Sequence, residues 1–162
     1  MKKCNTQIMK ELKKLEENRV SWLAFEKSNC TVSYCAGEDP IIPEYDYDDV
    51  SKHIEWFDNE IRRLKGLLAY SNVTTIVEGF DMTINDALIY LAQLKQKQVR
   101  LDGLNAKKKL SRSTSGYGDT VEYTKILYDL EPIAKELAEV TETIMLLQMA
   151  IDRTNLTNMI EC

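Results

Sequence analysis

The sequence predicts an all-α fold: an antiparallel four-helix bundle of coiled-coil-like helices, assembled from two αα-hairpin repeats. Three observations lead there. Gly and Pro are scarce, at six and three of 162 residues, while 44% of residues are apolar and 29% charged. That mixture suits long amphipathic helices rather than a β-sandwich or a disordered chain. From Val50 the apolar positions run Val50, Ile54, Phe57, Ile61, Leu64, Leu68, a heptad seam. The same seam returns 83 residues on, as Ile133, Leu137, Val140, Ile144, Leu147, Ile151.

Each seam has matching punctuation. Tyr45-Asp46 precedes the first and Tyr128-Asp129 the second. "SNVTTIV" (71–77) closes the first and "TNLTNMI" (154–160) the second. Asp46 is therefore expected to cap one helix, with Asp48 and Asp49 near its positive end. Asp129 is expected to cap the other, which puts Pro132 in a first turn where its missing N–H costs little.

The other two helices echo at an offset of 79. Helix one is expected over about 6–27, with Ile8, Leu12, Leu15 and Trp22 on its seam. Helix three is expected to start at Thr83, with Asp86 completing a T-x-x-D capping box. It carries Ala87, Leu91, Leu94 and Leu101. The same offset aligns Arg19 with Gln98, the polar residue of each seam. The expected organisation is one helical domain over 1–162, with repeat 1 at about 5–77 and repeat 2 at about 83–160. The linkers "TVSY" (31–34) and "TVEY" (120–123) are β-branched and aromatic. They are expected to be extended and to pair as a short two-stranded β-ribbon at one end.

Charge and cysteine content narrow the function. The net charge is −5 and the isoelectric point about 5.0, so no nucleic-acid partner is expected. "MKKCNTQIMKELKKLEEN" lacks the apolar core of a signal peptide, and no run nears the ~18 apolar residues of a membrane span. A cytoplasmic location without membrane association follows as the expectation. Cys4, Cys30, Cys35 and Cys162 form no C-x-x-C pair, and His53 is the one histidine. They read as reduced thiols rather than a zinc site. No Walker loop, G-x-S-x-G, G-x-G-x-x-G or H-E-x-x-H occurs, and no cofactor is expected.

Four features are candidates for chemistry. Asn72-Val-Thr74 and Asn155-Leu-Thr157 match a glycosylation sequon, as does Asn29-Cys-Thr31. For the first two, end-capping is the main reading, with Asn in the left-handed conformation that closes a helix. The competing reading is a polar ligand pocket of Asn72, Thr74, Asn155 and Thr157. Arg19 and Gln98 fix helix register or line a buried site. The acidic loop before His53 supplies weak metal candidates in Glu44, Asp46, Asp49 and His53, without EF-hand spacing. The basic stretch Lys107, Lys108, Lys109, Arg112, with Arg100 and Tyr117, reads as a charged helix end and loop, or as a grip on phosphate or a membrane surface.

The motifs "GEDP", "SNVTT", "MTINDALIYLAQLK", "YGDTVEYTKILYDLE" and "DRTNLTNMI" resemble those of a group of uncharacterised bacterial helical proteins, some labelled septicolysin. The resemblance spans nearly the whole chain. It implies a helical bundle of unknown biochemistry, and the label implies a haemolysin-like toxin. It brings no catalytic residue. The favoured function is a non-enzymatic interaction or scaffold protein forming homo-oligomers. Trp56, Leu67, Leu127, Leu130, Met145 and Met149 lie off the main seams and suggest a self-association face. The alternatives are a membrane-active toxin-like protein and a helical bundle binding a small ligand or divalent metal.

Overall fold

The computed structural model describes residues 1–114 and 121–161. About two thirds of it, 67%, is helix, in four segments accompanied by two small antiparallel strand pairs. The order is β1 (Lys2–Cys4), α1 (Asn5–Asn29), α2 (Tyr47–Thr74), α3 (Ile84–Asn105), β2 (Leu110–Thr114), β3 (Val121–Lys125), α4 (Leu130–Thr157) and β4 (Met159–Glu161). The chain divides into two compact units: Met1–Thr75 with Thr154–Cys162, and Ile76–Arg153.

In the first unit α1 and α2 run antiparallel. Tyr45, just before α2, hydrogen-bonds Glu26 near the end of α1, Arg19 meets Asp58, and Glu16 meets Lys65. The core is the heptad seam: Ile8 and Leu12 from α1 close on Leu64, flanked by Leu15, Ile61, Leu67, Leu68 and Ile160. Ile8 and Leu64 are wholly inaccessible; each such side chain contributes roughly 1.5–3 kcal/mol by leaving water. As expected, Asp46 caps α2, accepting from the amides of Asp48 at 2.8 Å and Asp49 at 3.3 Å. β1 pairs with β4 in the register Cys4↔Met159 and Lys2↔Glu161. This pair is what places the last residues of the chain in the first unit, and the heptad pattern gave no hint of it.

The second unit joins α3, the β2–β3 ribbon and most of α4. α3 and α4 are antiparallel: Tyr128 reaches Leu104, Lys97 pairs with Glu136, and Gln98 bonds Thr141. Their shared core holds Ile84, Ala87, Leu91, Leu94 and Leu101 against Val140, Leu147 and Ile151. Thr83 caps α3 as expected, accepting from Asp86 N at 3.1 Å. α4 begins at Leu130, one residue past Asp129, with Pro132 inside its first turn. Ahead of α3, Gly79 adopts φ +81°, which an L side chain rarely does. That turn lets Val77 N bond Met82 O at 2.9 Å and brings Ile76 into a β-bridge with Thr83.

Two local expectations are corrected. The ribbon pairs Leu110–Thr114 with Val121–Lys125, whereas Thr31–Tyr34 lies in no helix or strand. A strand finds its partner more cheaply a few residues away than across a chain nearly ninety positions long. The Asn-x-Thr residues do not adopt the left-handed conformation: the described residues with positive φ are both glycines. Asn72 and Asn155 lie inside their helices, and α2 stops because Thr75 turns extended, at φ −88° and ψ 125°.

Candidate functional site

The most polar part of the interior lies in the first unit, where α2 and α4 end and α1 begins. Of the buried residues with polar side chains, Asn5 is 1%, Ser71 3% and Thr154 6% exposed. Burying amides and hydroxyls costs free energy unless they find partners, and here they do. Asn5 Nδ2 donates to Asn155 Oδ1 at 2.9 Å, while Asn5 Oδ1 accepts from Ser71 Oγ at 3.0 Å. Asn158 Nδ2 divides its two hydrogens between Ser71 Oγ and Thr75 Oγ1, both at 3.0 Å. Thr6 Oγ1 donates to the backbone carbonyl of Asn155 at 3.3 Å. Among the described residues, no fully buried side-chain nitrogen or oxygen is left without a partner.

Sequence reasoning was one register out at this end. Of the residues proposed to line a pocket, Asn155 joins the network. Thr74 does not, because its hydroxyl donates to the Tyr70 carbonyl at 2.8 Å, one turn back. Asn72 makes no hydrogen bond to Asn5, Ser71 or Asn158, and Thr157 is the last residue of α4. The residues missed were Asn5, Ser71, Thr75 and Asn158. A signal for Ser71 was present: it lies seven residues beyond Leu64, which lies seven beyond Phe57. All three are buried.

Arg19 and Gln98 bridge helices. Arg19 grips Asp58 with two hydrogen bonds, Nε to Oδ1 at 2.6 Å and a terminal nitrogen to Oδ2 at 3.2 Å. That fork holds the Asp58 carboxyl below its ordinary range and raises the guanidinium pKa in return. Gln98 Nε2 donates to Thr141 Oγ1 at 3.0 Å. Each polar seam residue therefore ties its helix to the neighbouring one, the kind of contact that fixing helix register requires.

In the acidic loop two of the metal candidates, Asp46 and His53, have other partners. Asp46 spends its carboxylate on the α2 cap. His53 Nδ1 faces the Asp49 carbonyl at 2.9 Å, and the imidazole stacks on Trp22 with centroids 4.1 Å apart. Nowhere among the described residues do three or more His, Cys, Asp or Glu side chains converge as metal ligands. Tyr45, beside this loop, has its phenol pKa raised, first by partial burial and then by its hydrogen bond to Glu26.

A search of family models finds no match for the chain, and a search of curated proteins finds none either. A solved structure does resemble it. The chain is similar to a functionally unknown conserved protein from Corynebacterium diphtheriae, with a TM-score of 0.66 and 14% identity, covering 99% of this chain and 100% of that one. At that identity the likeness speaks for the fold. It gives the helical architecture a natural precedent and supplies no activity.

Several of the remaining sequence candidates fall on the surface. Of the off-seam residues, Leu127 is 94% exposed, and Trp56, Met145 and Met149 are each more than half exposed. Leu130 is half-buried, and Leu67 packs on the core of the first unit, so it offers nothing to a partner. Of the basic stretch, Tyr117 lies outside the described residues, as does Cys162. No described helix is long and apolar enough to cross a membrane.

Proposed function

We propose that this chain is a non-enzymatic helical interaction protein that self-associates. The observation that carries the reading is the outward apolar row Met145, Leu146 and Met149 on α4, with Leu88 and Ile89 exposed on α3 of the same unit. Side chains of this kind in contact with water are what a helix-packing interface buries. The polar network favours the same reading over a ligand pocket. Its donors and acceptors are turned on one another, so a ligand would have to break bonds to enter. Sedimentation equilibrium tests the proposal. A concentration-dependent dimer that Met145→Glu/Met149→Glu abolishes is the expected result; a clean monomer at roughly tens of micromolar, the range of weak standard interfaces, would overturn it.

The reading includes an internal duplication, and contacts within each unit support it. The partners of Arg19 and Gln98, Asp58 and Thr141, are themselves 83 residues apart. The β-bridge Ile76↔Thr83 matches Met159↔Cys4 at the same two offsets. Tyr45 and Tyr128 each reach back to the end of the preceding helix. Buried Phe57, Leu64 and Ser71 correspond to buried Val140, Leu147 and Thr154. Kinship with the septicolysin-like group belongs to the same proposal and rests on the motifs given above. A toxin-like activity would appear as leakage of dye-loaded vesicles.

A further inference from the structure

The β2–β3 ribbon has two unlike faces. Side chains alternate along a strand, so directly opposed residues share a face with those two positions on. The register therefore sets Leu110, Lys125, Arg112 and Tyr123 on one face, and Ser111, Thr124, Ser113 and Glu122 on the other. The first face is cationic and apolar together. Leu110 is 58% and Tyr123 64% exposed, and Arg112 and Lys125 are also exposed. Just past the ribbon stands Leu127, 94% exposed. Between ribbon and α4 lies an open cavity of about 400 Å³, lined by Lys109, Lys125, Leu127 and, as its carboxylate, Asp129. In a chain of net charge −5, Lys107, Lys108, Lys109, Arg112 and Lys125 cluster here. None of the five forms an ion pair with a described residue.

We propose that this ribbon face docks on an anionic phospholipid surface, with lipid phosphate at Lys109 and Lys125 and with Leu110, Tyr123 and Leu127 entering the interfacial zone. Charge complementarity selects the partner: lysine and arginine are drawn to an anionic leaflet, and the attraction fades with salt. Their aliphatic stems can lie along the apolar zone while the charges stay at the phosphates. Tyrosine favours the membrane–water boundary. The leucines decide against a nucleic acid. A single-stranded site would stack bases on several aromatic rings, whereas the ribbon face and Leu127 beyond it offer one ring and two aliphatic chains, which a lipid interface buries and a nucleic acid does not. The docking is peripheral and needs no spanning helix.

Co-sedimentation of the full chain with vesicles tests it. The protein should pellet with vesicles mixing phosphatidylcholine and phosphatidylglycerol, stay in the supernatant with phosphatidylcholine alone, and be released by added salt. Arg112→Glu/Lys125→Glu should lower the partition coefficient by at least about tenfold, since each cation near the surface contributes severalfold. Leu127→Ser should weaken binding while leaving its salt dependence intact, and the uncharged change Ser113→Ala on the opposite face should change neither. Far-UV circular dichroism confirms that each exposed-site variant keeps its helix. The proposal fails if the wild type ignores anionic vesicles or if the charge-reversed variant binds them as well as the wild type. Preference for a short single-stranded oligonucleotide over the anionic vesicles would also overturn it.

Discussion

Asn158 Nδ2 donates to Ser71 Oγ at 3.0 Å, joining the residue after α4 to the last turn of α2 across 87 positions of chain. The same nitrogen serves Thr75 Oγ1, also at 3.0 Å, and Ser71 passes its own hydrogen to Asn5. One amide thus sits at the head of a chain of donors running into the first unit. Asn158 lies 83 positions beyond Thr75, the same spacing that separates the two heptad seams.

Asn158→Ala should be among the more costly polar substitutions in the molecule. It leaves Ser71 Oγ and Thr75 Oγ1 short of a donor in a poorly hydrated place, and such a loss costs about 1–3 kcal/mol. Urea unfolding should show a lower midpoint with an unchanged slope. A shift worth less than about 0.5 kcal/mol, the level of an ordinary surface change, would mean that water replaces the amide freely.

Asp58 should make acid stability sensitive to one ion pair. The Arg19 fork keeps its folded pKa low, whereas in the unfolded chain it returns to about 3.9. The pair's contribution is complete above that value and is lost as pH falls through the lower folded pKa. Glu136, held down by its hydrogen bond to Lys97, follows the same rule. Asp58→Asn should therefore be less stable than wild type near neutrality and should converge with it in strong acid. Because both side chains are partly exposed, salt should narrow the gap. Thermal melts across pH check this, and a difference that persists unchanged into strong acid would reject it.

Much of the helical framework was legible because helices announce themselves locally. Asp46 and Thr83 cap where the sequence places them, Pro132 sits in a first turn, and the seam through Phe57 and Leu64 is buried. The strands were less legible. β1 and β4 are three residues each, too short to show alternation, and their partners lie at opposite ends of the chain. The polar network was misplaced for a related reason. The repeated Asn-x-Thr phrase drew notice to Asn72 and Thr74, but a helix buries positions seven apart, which selects Ser71 instead. Asn5 was invisible from its own helix: an amide there is explained by its partners Ser71 and Asn155, 66 and 150 positions away.

The two wholly buried leucines of the second and fourth helices allow the units to be tested separately. Leu64 and Leu147 both have no accessible surface, and each sits in the core of a different unit. Leu64→Ala and Leu147→Ala should each cost about 2–5 kcal/mol. Native-state hydrogen exchange should distinguish them. Leu64→Ala should lower protection first in α1 and α2, and Leu147→Ala first in α3 and the body of α4. Identical loss of protection throughout the chain for both would show that the units open as one.

Ending the chain after Thr157 should damage the first unit selectively. The deletion removes Asn158, the strand that pairs Met159 with Cys4, and Ile160, which packs beside Leu12 and Leu64. Losing the Asn158 bonds and the isoleucine contact together should cost at least about 2 kcal/mol. Exchange should rise at the start of α1, where Asn5 and Thr6 lose the setting of their bonds to Asn155. In the second unit the Ile76↔Thr83 bridge ahead of α3 loses no residue to the deletion. Amides from Ile84 onward should therefore stay protected. If they loosen as much as those of α1, the terminal strand supports the whole chain rather than the hairpin it pairs with.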